Sequence, residues 1–121
     1  MSSQSERDFP RCGDIFDVQM DPSIGAEIGK TRPAVIVSND INNRYSQTVT
    51  VVPITGQPSK KVYPYNAFLP KGAGGLTVAS RAKADQIRTV DKVRLLRYRG
   101  SLTLEFVSQV QRAVKAHLGL R

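Results

Sequence analysis

The sequence predicts a small, mainly β domain: a mostly antiparallel barrel, SH3-like or OB-like, with one C-terminal helix. Three observations lead there. The chain has 121 residues, 40% apolar and 23% charged, the size and balance of a single globular domain. Its apolar segments are short, rich in β-branched residues and separated by Pro- and Gly-marked turns. Only the last long segment changes to helical spacing.

Taken in order, "GDIFDVQM" (Gly13–Met20) alternates Ile15, Phe16, Val18 and Met20 imperfectly with polar residues and reads as a strand. "DPSIGAEIGKT" (Asp21–Thr31) is punctuated by Pro22, Gly25 and Gly29 and reads as a loop. "RPAVIVS" (Arg32–Ser38) is a strand in which Pro33 suits only the first positions. "NDINNRYSQ" reads as a turn, and "TVTVVPIT" (Thr48–Thr55) as a second buried strand. After the polar loop "GQPSKKVYP" come shorter strands at "NAFLP", "LTVAS" and "DQIRTVD". "KGAGG" lacks the spacing and the following Lys-Ser/Thr of a phosphate loop, so it reads as a flexible hairpin loop. In the last segment Leu102, Phe106, Val110, Ala113, Val114, His117 and Leu118 recur at helical spacing. Ser101 is the expected N-cap and Gly119 the stop.

Residues 1–10 read as a polar, mobile tail and residues 11–121 as one domain. No apolar stretch is long enough to span a bilayer, and the start lacks the apolar core of a signal peptide. A single cysteine, Cys12, suggests a reducing compartment, with the cytoplasm as default. Net charge is +8 and uneven. Residues 1–40 carry four Lys/Arg against seven Asp/Glu, whereas residues 41–121 carry fourteen against three. That asymmetry suits either a polyanionic partner, most often nucleic acid, or simply a soluble basic surface.

Several chemistries are disfavoured. One His (His117, at the apolar edge of the helix) and one Cys make no zinc set and no evident Ser-His or Cys-His pair. Asp14 and Asp17, at i and i+3 on a strand, point to opposite faces, which argues against a two-metal site. An enzyme here should need no metal or cofactor and should use arginines and hydroxyls.

Several motifs then agree in order. Gly13-Asp14 opens the first strand, Gly25 and Glu27 lie in the loop, and Arg32-Pro33 leads into "VIVSND". Pro53-Ile54-Thr55 ends the next strand, and "ADQIRTVDKVRL" (Ala84–Leu95) follows. This pattern resembles the MazF/PemK family, toxins of bacterial toxin–antitoxin pairs, over about Cys12 to Leu120. The resemblance implies an SH3-like barrel acting as a homodimer. It implies a sequence-specific, metal-independent endoribonuclease that cuts single-stranded mRNA and is neutralised by a cognate antitoxin, expected to be acidic. It places the catalytic arginine at Arg32, the catalytic threonine at Thr55, and the substrate-contacting loop at residues 21–31 with Glu27 in it.

The residue types suit that chemistry. An RNA 2′-OH attacks the adjacent phosphorus, leaving a 2′,3′-cyclic phosphate and a 5′-OH. Arginine offers a fixed, always-charged fork to the developing charge, and a β-branched threonine holds its hydroxyl stiffly. If the two strands are neighbours, Arg32 and Thr55 converge at one barrel edge beneath a mobile 21–31 loop, and Lys30 draws phosphate in. Gln86 and Arg88 alternate onto one strand face and either contact RNA or form an exposed polar face. Tyr45, Tyr63 and Tyr65 either stack unpaired bases or pack in the core or a dimer. Two other readings compete: a CcdB-like toxin that binds DNA gyrase without catalysis, and a basic RNA-binding barrel.

Overall fold

The computed structural model describes residues 8–57 and 59–121, so most of the expected tail at 1–10 lies outside the described residues. Seven antiparallel strands and two helices follow in the order β1 (Asp14–Gln19), β2 (Thr31–Ile36), α1 (Asp40–Tyr45), β3 (Thr48–Gly56), β4 (Asn66–Leu69), β5 (Ser80–Lys83), β6 (Arg88–Asp91), β7 (Leu95–Ser101) and α2 (Leu104–Leu118).

β3 organises the sheet. One edge pairs with β2, from Ile36–Val51 to Ala34–Pro53. The other edge is shared: its first half pairs with β6 (Thr48–Asp91 to Val51–Arg88) and its last three residues with β5 (Ile54–Ala82 to Gly56–Ser80). The break between those partners falls at Val52–Pro53. Thr50 accepts from Val37 N–H and donates its own N–H to Ser38 Oγ, both on the β2 side. By alternation the Pro53 nitrogen faces the broken edge, where no N–H is needed.

β6 and β7 lie at opposite ends of the path β6-β3-β2-β1-β7, yet only Lys92–Arg94 separates them. That 3₁₀ turn, capped by the Asp91 carboxylate on Val93 N–H, bridges at most about 14 Å of chain. The five strands must therefore curl until the two ends nearly meet. No ladder joins β6 to β7, so the expected barrel has an open seam bridged by one turn.

Strand alternation sorts the side chains into two cores. Val18, Met20, Ala34, Ile36, Val49, Val51 and Val90 fill the inside of the curl, with Phe16, Ile28 and Leu95 at its margin. Ile15, Val35, Val52 and Ile54 face outward and are covered by β4, β5 and the Val110–Ala113 face of α2. With both faces covered, β2 and β3 read as unbroken apolar runs.

Local expectations are corrected in four places. The "NDINNRYSQ" segment contains α1, capped by Asn39 Oδ1 on Asn42 N–H. The strand expected at "LTVAS" begins only at Ser80. Helix α2 starts after Thr103 instead of Ser101, because Ser101 ends β7 and its hydroxyl donates to Asp14 Oδ1. At the far end Gly119 does adopt the left-handed cap, with its N–H on Ala116 C=O. Finally, "KGAGG" is no free loop, because Ala73–Gly75 packs on β7. At Gly75 (φ +80°) a Cβ would collide with the Arg99 carbonyl oxygen.

Gly75→Ala should therefore destabilise the fold by about 2 kcal/mol or more, from strain and overlap with a backbone that cannot yield. A lower urea midpoint with unchanged slope checks this. Cys12, half-buried before β1 with its thiol directed at Val37 C=O, has its pKa raised by burial first and then by the Asp40 and Asp14 charges. Less thiolate is then present near neutral pH, so iodoacetamide should label Cys12 more slowly in the folded protein than in urea. Equal rates would contradict the shielding.

Candidate active site

The β1–β2 connection, residues 20–30, is a compact loop whose neck is held by arginines. Met20 N–H donates to Lys30 C=O at 2.8 Å, closing it at the base, and Lys30 takes a left-handed φ of 63° to do so. Arg88 of β6 reaches Met20 C=O at 3.2 Å and Ile28 C=O at 3.1 Å. Arg94 donates to Gln19 C=O at 3.0 Å and also to Asp21 C=O. Gln86 Oε1 accepts from Ile28 N–H at 3.1 Å. Inside the loop, Glu27 Oε1 accepts from Ile24 N–H, and Gly29 packs so closely that a Cβ there would overlap Ser23 and Asp21. The neck of the loop expected to be mobile is thus pinned, while its tip stays exposed.

Arg32 and Thr55 stand where the β2–β3 register carries them. The β2–β3 ladder ends at Ala34–Pro53, and Arg32 and Thr55 lie two residues beyond it on their strands, by alternation on the side of Ala34 and Val51 that fills the curl. Both are half-buried. Arg32 Nε donates to Gly29 C=O at 3.4 Å, and its two η nitrogens have no protein partner among the described residues. The Thr55 hydroxyl accepts from Arg81 Nε at 3.5 Å, and Arg81 is its cross-strand partner on β5. Just past the end of the β2–β3 ladder, β2 thus carries a half-buried guanidinium fork, and β3 carries a hydroxyl in contact with a second guanidinium.

The other expected site residues lie on the β1–β2 loop and on the elements that brace it. Glu27, Gln86 and Arg88 line one cleft of about 450 Å³, together with Pro22, Asp85 and Ile87. Lys30 is exposed at the loop's base. Gln86 lies in the 3₁₀ turn Ala84–Gln86 instead of on a strand, so it does not alternate with Arg88 on one strand face; both reach the loop all the same. Arg81 was missed because the strand was placed too early, ending at Ser80. Shifted to Ser80–Lys83, the same alternation sets Arg81 opposite Thr55.

The paired carboxylates are committed elsewhere. Asp14, buried, accepts from Ser101 Oγ at 2.7 Å and Arg11 N–H at 2.8 Å. Asp17 bridges Arg97 and Arg99, each at 3.1 Å. His117 is exposed at the end of α2, beside the Tyr65 ring.

Known proteins resemble this chain along nearly its whole length. A family model described as "PemK-like, MazF-like toxin of type II toxin-antitoxin system" matches residues 11–118. The chain is 40% identical to Endoribonuclease MazF9 of Mycobacterium tuberculosis, covering 91% of this chain and 97% of that protein. It is 37% identical to Endoribonuclease MazF of Staphylococcus saprophyticus, covering 91% and 92%. The fold also matches the crystal structure of MazF from Deinococcus radiodurans with a TM-score of 0.79, at 24% identity over 94% of this chain and all of that one. A mycobacterial endoribonuclease solved with its cognate antitoxin matches at 0.75, with 23% identity over 93% and 97%. By its sequence and its fold together, this chain belongs to the PemK-like, MazF-like toxins of type II toxin–antitoxin systems.

Proposed function

We propose that this toxin is an endoribonuclease that cuts single-stranded mRNA at the Arg32–Thr55 end of the barrel, by attack of the RNA's own 2′-OH. The observation that carries the reading is the half-buried Arg32 fork, whose two η nitrogens have no partner among the described residues, just past the same ladder end as the Thr55 hydroxyl. Two parallel N–H groups suit the nonbridging oxygens of a phosphorane, where negative charge grows. Donors fixed at such a place are worth about 3–4 kcal/mol each. The Thr55 hydroxyl, held by Arg81, hydrogen-bonds a nonbridging oxygen or passes a proton to or from the reacting oxygens. Because the nucleophile is built into the substrate, no metal-activated water is required. The products are a 2′,3′-cyclic phosphate and a 5′-OH.

Glu27, Gln86 and Arg88 then contact RNA from the neighbouring cleft, and Lys30 adds a phosphate-attracting charge at the loop's base. The loop is braced before substrate arrives, so little ordering entropy remains to oppose binding. The protein acts in the cytoplasm as a homodimer, since a barrel this small cannot surround a strand alone. Its neutralising partner is an acidic antitoxin segment whose carboxylates meet the same cations. No described helix is long and apolar enough to cross a membrane. A gyrase-binding reading gives the free Arg32 fork and the Thr55–Arg81 contact no task.

Arg32→Lys keeps the charge but loses the fork, so cleavage should fall by about 10²-fold or more while RNA binding drops modestly. Thr55→Val should slow cleavage with the fold intact. Single-turnover rates beside binding curves separate these effects, and a wild-type rate in Arg32→Lys would remove Arg32 from the reaction. A substrate with one deoxyribose 5′ to the scissile phosphate should bind as RNA does yet stay uncut, and EDTA should leave cleavage of normal RNA unchanged. Cutting of the deoxy substrate, read by end mapping, would exclude 2′-OH attack.

A further inference from the structure

Beyond the cleavage site, β3 runs through Gly56 into a loop that carries a separate set of rings and charges. Tyr63 and Tyr65 stack in parallel, 5.3 Å between centroids and 2° between planes. Tyr65 in turn meets the His117 ring of α2 at 6.4 Å, tilted by 56°. Tyr65 covers one face of Tyr63, and the side chain is still 62% exposed, so its other face is open. Clefts of about 250 and 340 Å³ adjoin that ring. Their charged lining residues are Lys61 in the first and Lys60 and Arg112 in the second, and no acidic residue among the described residues lines either.

We propose that this Tyr63–Tyr65–His117 ladder, flanked by Lys60, Lys61 and Arg112, is a second docking surface for single-stranded RNA, holding nucleotides that flank the cut. It rests on the reading of the chain as an RNA-cleaving toxin. An open aromatic face takes the π-face of any base, and cations on both sides of the ring take the phosphates before and after it. An acidic peptide satisfies the cations but not the ring, whose negative face repels a carboxylate. The two surfaces are also joined. Thr55 and Lys60 are five residues apart, at most about 18 Å of extended chain, and Gln57 Nε2 donates to Lys61 C=O within that segment. An RNA strand leaving Thr55 thus meets the ladder within a few nucleotides. Because a base stacks whatever its identity, this surface adds affinity for long substrates and leaves the choice of cut to the cleavage site.

Two RNA oligonucleotides test this, a short one spanning only a mapped cut and a long one extending several nucleotides on both sides. Both carry deoxyribose at the cut, so that binding is read without cleavage. The wild type should bind the long RNA more tightly. Tyr63→Ala should lose about tenfold on the long RNA and nothing on the short one, while Tyr63→Phe should match wild type. Lys60→Gln with Lys61→Gln should reduce the slope of log K against log salt by about 1.4 on the long RNA, for two phosphate contacts. Equal losses on both lengths, or none, would overturn the proposal. So would unchanged RNA binding in Tyr63→Ala together with weaker binding of a poly-glutamate peptide. Should the wild type cut no RNA yet show the Tyr63-dependent length effect, the nuclease reading fails and this surface stands.

Discussion

The structure depends on the burial of β3 on every side. Its apolar residues alternate between the inside of the curl and the layer beneath α2, so neither face can be left in water. Both edges are paired as well, which satisfies its backbone groups except where Pro53 has no N–H to satisfy. A strand so constrained cannot slip by one residue without exchanging its two cores. That register ends at Ala34–Pro53, two residues short of Arg32 on β2 and of Thr55 on β3. The placement of Arg32 and Thr55, the pair proposed to act on RNA, is thus a by-product of hydrophobic burial at the end of β3 where the ladder to β2 runs out.

Around that end, cations serve two distinct purposes. Arg88 and Arg94 give their donors to backbone carbonyls at the loop neck. A guanidinium suits this because its charge strengthens each bond and its fork spans two carbonyls at once. Among the described residues no carboxylate is paired with Arg32, Arg81, Arg88 or Arg94, although Glu27 and Asp85 line the same cleft as Arg88. On the proposed reading, these arginines, unpaired with carboxylates, would add a phosphate-attracting field while they order the loop. Two of the carboxylates are engaged elsewhere: Asp17 holds Arg97 and Arg99 on β7, and Asp14 is enclosed by Ser101 and Arg11.

The close contact of Ala73–Gly75 with β7 shows how the outer layer is locked to the barrel. Gly75 and Gly100 let two backbones approach closer than any side chain permits, and Gly74 lies against Ile15 and Leu102 of the outer core. The connection between β4 and β5 is thereby anchored to the opposite edge of the sheet. β5, and with it Arg81, is held from both ends. A segment that reads as punctuation in the sequence acts as a packing element in three dimensions.

Much of this was legible in the residues alone. Short β-branched runs between Pro and Gly turns fix a mainly antiparallel β domain, because period and turn chemistry are local properties. The pattern from Gly13 to Leu95 pointed to the family, with Arg32 and Thr55 as the candidate pair that the resemblance implies. What local pattern does not contain is which hydrogen-bond donor finds which distant acceptor. Ser101 fits an N-cap by type but is claimed by Asp14, eighty-seven residues away in sequence. Gln86 and Arg88 look like an exposed polar face, yet they turn to a loop some sixty residues earlier. Arg81 becomes a neighbour of Thr55 only through the pairing of β5 with the second half of β3. The sequence by itself determined the class of fold and the family, and it singled out Arg32 and Thr55 as candidates at one strand end. Only the tertiary structure decided how that end is braced, because long-range pairing is set by the closure of the whole sheet and by no segment within it.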